Sequence, residues 1–191
     1  IRIKQVEDVL EKYWNDHRMD ATVEHLVSGV FETPVDFFQD FGSYWDKQGW
    51  SRIGHQLEDL YKRLYAFLQE EDVATLGVVE SLMKYDYLRH QKFKPRKPWW
   101  QDRLDKDVRT GIYKEIVKSP DLMGEAFTKL QLNEKELYKH TMVETIHFDL
   151  SLYLEKGQIR EKENFVLVYF NQTTNKTEIF PISSEKRKTA S

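Results

Sequence analysis

The sequence predicts a mainly α-helical protein, a multi-helix bundle that ends in a small antiparallel β-hairpin or three-stranded sheet (α+β). As far as residue 140, apolar side chains recur every three or four residues, which is the spacing of one buried helical face. From Thr141 the apolar residues alternate, and ENFVLVYF at 163–170 is rich in the β-branched and aromatic residues typical of strands. We therefore expect a helical domain at 1–140, a small antiparallel β element at 141–182 packed on it, and a disordered tail at 183–191.

Four helices are predicted in the amino-terminal half. The clearest start is Thr33-Pro34, where a capping hydroxyl precedes a proline at the first helical position. Aromatic residues dominate this third helix, and core packing is the simplest reason for them. Its inward residues are expected to be Val35, Phe38, Phe41 and Trp45. The four predicted helices cover 3–17, a stretch from Asp20, Thr33 to about Gly49, and Ser51 to about Glu70.

A fifth helix is predicted to start at Val73, with Asp72 as its cap, and to bury one apolar face. Pro95 and Pro98 then force a loop, because each removes a backbone donor and pushes the preceding residue out of the helical region. Further helices are expected beyond the loop, at 108–117, at 120–130 and at 133–140.

The predicted sheet is built from a hairpin and one added strand. Residues 172–176 form a turn between ENFVLVYF and TEIFPI, so residues 163–182 should form the hairpin. A lone hairpin is only marginally stable in water. We therefore expect the strand at 143–149 to join it.

Composition excludes several classes of site. The 191 residues are 40% hydrophobic and 32% charged, which is the balance of a globular domain. The absence of cysteine excludes disulfides, thiolate zinc sites and cysteine-ligated iron–sulfur clusters within this chain. The net charge of -3 gives no long-range attraction to nucleic acid. No apolar run approaches the roughly 18 residues that a membrane span needs, so we expect a cytoplasmic protein without a membrane partner.

The strongest surface signal is a basic loop that ends in two tryptophans. Five cations lie in it, and no acidic residue occurs between Asp86 and Asp102. They are Arg89, Lys92, Lys94, Arg96 and Lys97. Three hypotheses fit this pattern. The loop could bind phosphates and stack a flat ligand on Phe93, Trp99 and Trp100. Alternatively, the tryptophans anchor the loop in the core while the cations stay in water. Lastly, the loop could be a docking surface for another domain.

Other patterns give no catalytic or metal site. The six histidines form no H-x-x-x-H or H-E-x-x-H motif, and no nucleophile elbow, phosphate loop or dinucleotide fingerprint is present. His147 and Asp149 would share one face of a strand, where a carboxylate can orient an imidazole, although that face usually meets solvent. A hydrolase site assembled from distant Asp, Glu and His residues would require a cleft that the sequence cannot reveal.

Three segments carry a family resemblance: FQDFGSYWDKQGW, RIGHQLEDLYKRLYAFL at 52–68, and LMKYDYLRHQKFKPRKPWW at 82–100. They resemble the carboxy-terminal domain of unknown function that follows the cobalamin-binding and radical S-adenosylmethionine domains in a bacterial enzyme family. The first residues, RIKQVEDVLEKYWN, are similar to the junction that leaves the radical domain. The resemblance extends to about Ile182, and its motifs are packing positions.

The resemblance implies a non-catalytic accessory domain of an enzyme whose cofactors are bound elsewhere. The parent protein is expected to use a [4Fe–4S] cluster, S-adenosylmethionine and cobalamin. This chain lacks both the C-x-x-x-C-x-x-C motif and a D-x-H-x-x-G motif, so it receives no catalytic, cofactor-binding or metal residue. Its expected partners are the radical S-adenosylmethionine and cobalamin-binding domains of the same full-length chain, where it would pack on the barrel and could cover the substrate entrance.

The expected contact surface lies around the basic loop. It comprises Tyr85, Asp86, Tyr87, Arg89, Lys94, Arg96, Lys97, Trp99 and Trp100. The alternative function is a nucleic-acid or nucleotide-binding module that uses Arg89–Trp100, although the net charge argues against nucleic acid. Salt separates the two functions, because phosphate binding weakens steeply as ionic strength rises and an apolar interface does not.

Overall fold

The computed structural model describes residues 3–183, and within them the chain forms nine α-helices and one three-stranded antiparallel sheet. The helices are α1 (Ile3–Leu10), α2 (Asp20–His25), α3 (Pro34–Lys47), α4 (Leu57–Glu70), α5 (Leu76–Arg89), α6 (Lys106–Lys118), α7 (Glu125–Thr128), α8 (Glu134–His140) and α9 (Leu150–Lys156). The strands are β1 (Thr141–Phe148), β2 (Glu161–Asn171) and β3 (Lys176–Pro181). This architecture confirms the predicted fold class. Apart from residue 183, the predicted tail at 183–191 lies outside the described residues.

The chain divides into two compact units, Ile1–Tyr87 and Leu88–Ser191, and the division falls in the last turn of α5. The predicted boundary at 140/141 lies inside the second unit, because helices after α5 share one core with the strands. A sheet with an apolar face must bury it against neighbouring elements, and α6 and α8 provide that cover. The buried members of this core are Ile112, Tyr113, Ile116, Met123, Phe127, Leu137, Val143, Leu167 and Ile182.

An aromatic core holds the amino-terminal unit together. The rings of Phe41 and Phe67 stack with their centroids 4.8 Å apart, and Tyr13 meets Phe41 edge-on at the same distance. Trp45 is fully buried, and its Nε1 donates a hydrogen bond of 2.7 Å to Asp8 Oδ2. Ring contacts therefore join α3 to α4 and to the short π-helix, Glu11–Asn15, that follows α1. The indole of Trp45 joins α3 to α1 itself.

The start of α3 agrees with the sequence prediction. Asp36 N donates a hydrogen bond of 3.1 Å to Thr33 Oγ1, and Pro34 occupies the first helical position. Val35, however, was expected to face the core and is 60% exposed. Its position is two residues, or about 200°, away from the fully buried Phe37, so it lies on the opposite side of the helix.

Two helices begin later than predicted. The first is α4, which starts at Leu57 behind a capping box in which Gln56 N donates a 3.0 Å hydrogen bond to Asp59 Oδ2. The second is α5, which starts at Leu76. Asp72 is not its cap, because a φ of +54° gives that residue the left-handed conformation in which helices commonly end.

The sheet has the strand order β1-β2-β3, which confirms both the predicted hairpin and the added strand. Val143 pairs with Leu167, and Leu167 pairs with Phe180, so apolar side chains lie side by side across all three strands. The register between β1 and β2 shifts between Ile146 and Phe148, which leaves His147 at an irregularity of the strand.

Helix α9 was not predicted, although its end signals are present in the sequence. Asp149 Oδ1 accepts a hydrogen bond of 3.1 Å from Leu152 N at the amino end. Gly157 ends the helix with a φ of +67°, a conformation that favours glycine. Asp149 also forms an ion pair with Arg160, so one carboxylate joins the start of α9 to the chain leading into β2.

Replacing Gly42 with alanine is expected to destabilise the amino-terminal unit. A Cβ at this position would lie 3.1 Å from the backbone oxygen of Gln5, and the backbone of α1 would have to move away from α3. We expect a loss of about 1–3 kcal/mol in the free energy of unfolding, measured by urea denaturation. The control is Gly77→Ala, where a Cβ meets nothing within 4 Å; it should be neutral or slightly stabilising. Equal effects of the two substitutions would contradict this close helix contact.

The stabilisation by Asp149 is expected to be complete above its unfolded pKa and to decrease below it. Its hydrogen bond from Leu152 N, followed by the pair with Arg160, lowers the pKa of Asp149 below the usual 3.8. A depressed folded pKa gives stability that is present above the unfolded value and is lost as pH falls through the folded value. Asp149→Ala should therefore cost about 1–2 kcal/mol near pH 7 and distinctly less near pH 3, measured by urea denaturation. Glu155→Ala, an exposed carboxylate of the same helix, should change stability by less than about 0.5 kcal/mol at both pH values.

Candidate functional site

The candidate site is the basic-aromatic segment, Arg89–Trp100, which starts in the last turn of α5. The β2–β3 hairpin holds the beginning of this segment. Thr177 Oγ1 donates a hydrogen bond to the carbonyl oxygen of Gln91, and Gln172 Nε2 donates one of 3.2 Å to that of Lys92. Two consecutive carbonyls are thus bound to side chains that lie about 80 residues away in the sequence.

Two buried tryptophans hold the other end of the segment. Trp99 is 6% exposed and Trp100 is 1% exposed, and their rings meet edge-on with centroids 5.5 Å apart. Arg103 Nη2 donates a hydrogen bond of 3.0 Å to the carbonyl oxygen of Pro98. This arrangement corresponds to the second hypothesis for the loop, in which the tryptophans are anchors and the cations remain in water.

Three other residues of the expected contact surface are buried in α5, namely Tyr85, Asp86 and Tyr87. Asp86 Oδ2 accepts hydrogen bonds from the backbone nitrogen of Thr22 at 2.8 Å and from its Oγ1 at 2.7 Å. Tyr87 donates one of 3.0 Å to Glu58, and burial together with this bond raises the pKa of Tyr87. Asp86 and Tyr87 therefore bind α5 to other parts of the amino-terminal unit.

The remaining cations of the expected surface are accessible. Lys94, Arg96 and Lys97 are exposed, and Arg89 is partly exposed. Among them lies Phe93, whose side chain is 66% exposed. The structure therefore divides the nine expected residues into a buried group and an accessible cationic group, and it adds one exposed aromatic ring to the latter. The signal for Phe93 in the sequence is its place as the one apolar residue between His90 and Pro95.

A cationic cavity of about 460 Å³ lies behind the segment, within the carboxy-terminal unit. Its polar lining comes from four cations, one phenol and one carboxylate, and its apolar lining from two prolines and three aliphatic side chains. These residues are Lys94, Pro95, Arg96, Pro98, Arg103, Leu104, Arg109, Tyr113, Met142, Val143 and Glu144. Of these residues, the sequence pattern indicates Lys94 and Arg96. It does not indicate Arg103, Arg109, Tyr113 or Glu144, because only the fold brings α6 and β1 to this loop.

The polar groups of this cationic cavity influence one another. Desolvation, and then the positive charge of Arg109, lowers the pKa of Lys94. Burial raises the pKa of Tyr113, against the opposing effects of its hydrogen bond with Thr141 and of Arg109. Tyr113 Oη lies 3.1 Å from the carbonyl oxygen of Thr141 and 3.0 Å from its Oγ1, which fixes the ring. Glu144 is only 6% exposed, so the single carboxylate lies deep while the cations are nearer to solvent.

His147 has a different carboxylate partner from the expected one. Its Nε2 lies 2.8 Å from Asp102 Oδ2, a residue 45 positions earlier in the sequence. Asp149, which was expected to share a strand face with His147, instead caps α9 and pairs with Arg160. The correction follows from the shifted register at His147 and from the end of β1 at Phe148, which together break the strict alternation of the strand.

Among residues 3–183, no group of three or more His, Cys, Asp and Glu side chains is placed to hold a metal ion. No helix in that same range combines the length and the apolar character that crossing a bilayer requires.

Comparison with known proteins gives one family match. Residues 1–168 match a family described as "Protein of unknown function (DUF4080)". No curated protein and no solved structure matches the chain. The match covers the amino-terminal unit, the basic-aromatic segment and most of the sheet, so both the segment and the cationic cavity lie inside it.

Truncation of Trp100 should lower the free energy of unfolding strongly, whereas truncation of Phe93 should leave it almost unchanged. Trp100→Ala removes a buried indole and is expected to lower the free energy of unfolding by about 3–5 kcal/mol. Phe93→Ala removes an exposed ring and should change it by less than about 0.5 kcal/mol. Urea denaturation of the two variants beside the wild type measures both values. A stable Trp100→Ala protein would contradict the anchoring of the segment.

Proposed function

We propose that this chain, which belongs to the DUF4080 family, is a non-catalytic accessory domain that docks onto other domains of a longer protein through its basic-aromatic segment. The observation that carries the proposal is the exposed ring of Phe93, held among accessible cations in a loop that is fixed at both ends. On the basis of the sequence resemblance described above, we propose that these partners are the cobalamin-binding and radical S-adenosylmethionine domains of a bacterial, cytoplasmic enzyme.

The fixed ends of the segment support docking on energetic grounds. A flexible loop loses conformational entropy when it binds, roughly 0.5–1.5 kcal/mol for each long side chain that becomes immobile. Here the hairpin and the two buried tryptophans have already fixed the backbone on either side of Phe93. Little further ordering of the backbone is needed around the ring, so binding would lose less conformational entropy than it would with a flexible loop.

The chemistry of the exposed residues indicates what the partner surface should contain. Aromatic residues, phenylalanine among them, and arginine are enriched at protein interfaces relative to the rest of the surface. Arg96 and Lys97, exposed three and four residues after Phe93, favour acidic residues around an apolar pocket on the partner. We propose that this contact lies on the catalytic barrel and covers part of the substrate entrance.

The cofactors of the proposed parent enzyme belong outside this chain. A [4Fe–4S] cluster of the radical S-adenosylmethionine type is held by cysteine thiolates, and this sequence contains no cysteine. The chain would therefore act on catalysis only through position, by excluding water or by limiting access to a site formed by other domains. S-Adenosylmethionine and cobalamin would likewise be bound by those domains.

Nucleic-acid binding is the alternative function, and the placement of the tryptophans favours docking over it. Single-stranded nucleic acid binds proteins through aromatic faces on which successive bases stack. Trp99 and Trp100 are buried, so Phe93 is the accessible ring of the segment. One ring and a few cations offer a small platform for a strand, whereas they suffice for the centre of a protein interface.

Removing the exposed ring and one exposed cation should release the domain from its partner. In the full-length protein, the double variant Phe93→Ser, Lys97→Ser is expected to lower turnover about tenfold or more, as the loss of a dominant interface residue does. Hydrogen exchange should increase in residues 89–100 and on the partner surface. The matched control is Leu154→Ser, Lys156→Ser, which removes an exposed apolar residue and a nearby lysine from the same unit.

The outcome is decided by comparison with that control. Turnover and exchange equal to those of the control variant would contradict docking through this segment. Raising the salt concentration separates the alternative, because contacts with nucleic-acid phosphates weaken steeply with ionic strength and a mainly apolar domain contact does not. Binding of single-stranded nucleic acid that is lost in the Phe93 variant and in moderate salt would favour the alternative.

A further inference from the structure

The cationic cavity contains more positive charge than the composition of the chain explains. The sequence has 29 lysines and arginines against 32 aspartates and glutamates, yet four cations and one carboxylate line this space. Two of the cations, Lys94 and Arg96, come from the basic-aromatic segment, and Arg103 and Arg109 come from the residues that follow it. The fold therefore concentrates positive charge here.

Few carboxylates accompany these cations, and Glu144 is the single acid among the residues that line the cavity. Within residues 3–183, Lys94, Arg96 and Arg109 take part in none of the ion pairs. The positive charge of Arg109 lowers the pKa of Lys94, after desolvation, so the two groups are close enough to repel each other. Like charges held together in a partly enclosed space are unfavourable, and a bound anion relieves both the repulsion and the incomplete solvation.

Hydrogen bonds hold the side chain of Arg103, and helix α6 positions Arg109. Arg103 donates through Nη2 to the carbonyl oxygen of Pro98 and through Nε to that of Trp100, at 3.0 and 3.5 Å. Arg109 lies four residues before Tyr113 on α6, so both side chains face the cavity from the same side of that helix. The ring of Tyr113 is buried and bound to Thr141, which gives this wall of the cavity a rigid base.

The remaining lining suits the organic part of a small molecule. Leu104, Met142 and Val143 supply aliphatic surface, and Pro95 and Pro98 supply rigid ring surface. A volume of about 460 Å³ falls inside the range of roughly 300–1,000 Å³ that is usual for small-ligand sites. The combination of apolar walls with a few convergent charges is typical of such sites.

We propose that the cationic cavity binds a small organic phosphate, with the phosphate group between Arg96 and Arg109 and the organic part against Leu104 and Met142. A phosphate carries more charge than a single carboxylate and offers several acceptor oxygens, which matches converging guanidinium and ammonium donors. Each guanidinium group can donate two parallel hydrogen bonds to two oxygens of a phosphate. Two arginines can therefore hold one phosphate group in a defined orientation. The four cations converge on a space of about 460 Å³, a size typical of small-ligand sites, which favours a small molecule over a nucleic-acid strand.

This proposal does not depend on docking. Phe93 and Lys97, which test the docking surface, do not line the cavity, and Arg109 lies on α6 outside the basic-aromatic segment. Either proposal can fail while the other holds.

Local hydrogen exchange in the full-length protein provides the test, with pyrophosphate as the probe. Pyrophosphate should slow exchange in peptides covering 94–113 and 142–144, and the effect should weaken as salt is added. In Arg109→Gln, the pyrophosphate concentration that gives half of this protection should rise about tenfold or more. The control is Lys118→Gln, an exposed cation of the same helix outside the cavity, which should shift that concentration by less than about twofold.

Each other outcome overturns the proposal. Absence of local protection at any pyrophosphate concentration excludes the site, and equal effects of Arg109→Gln and Lys118→Gln exclude the cavity as its location. Protection by succinate at the same concentrations would show general anion binding and overturn the assignment to phosphate. If Arg109→Gln alters urea denaturation, Arg96→Gln replaces it, because Arg96 is exposed in a loop and its loss should leave the fold intact while producing the same tenfold shift.

Discussion

One physical constraint determines how the basic-aromatic segment lies on the carboxy-terminal unit: its two tryptophans favour burial, and the cations before them favour water. Burying an indole ring is strongly favourable, whereas burying an unpaired lysine or arginine is costly. A stretch of twelve residues that contains both kinds satisfies them only if its rings enter the protein and its charges remain accessible. Trp99 and Trp100 are buried and Lys94, Arg96 and Lys97 are exposed, as this constraint requires. Hydrogen bonds from the β2–β3 hairpin fix the remaining end.

Both proposed activities follow from that anchoring. On the outside of the segment, Phe93 is held away from the core and becomes available to another domain. Toward α6 and β1, Lys94 and Arg96 meet Arg109 and form the cationic cavity. The same loop thus presents the Phe93 ring to solvent on one side and lines the cationic cavity with Lys94 and Arg96 on the other. Neither proposed use needs a metal or a nucleophile from this chain.

Sequence signals correctly predicted those helices and strands whose start or end is set by residues a few positions away. The Thr33-Pro34 start of α3 and the β2–β3 hairpin were found because a cap, a proline and a turn act within a few positions. Helix α9 has equally local signals in Asp149 and Gly157. It was missed because the predicted strand at 143–149 included Asp149, which is the cap of this helix. The burial of Asp86, the pairing of His147 with Asp102 and the cavity itself depend on residues far apart in sequence. Periodicity contains no information about such contacts.

The most direct test of this account is the backbone order of the basic-aromatic segment, measured by NMR relaxation on residues 91–98. A segment anchored at both ends should have order parameters close to the value of about 0.85 that is usual for rigid backbone, despite its exposure to solvent. Values below about 0.6 across these residues would show a flexible loop and would contradict the fixed presentation of Phe93 on which the account rests.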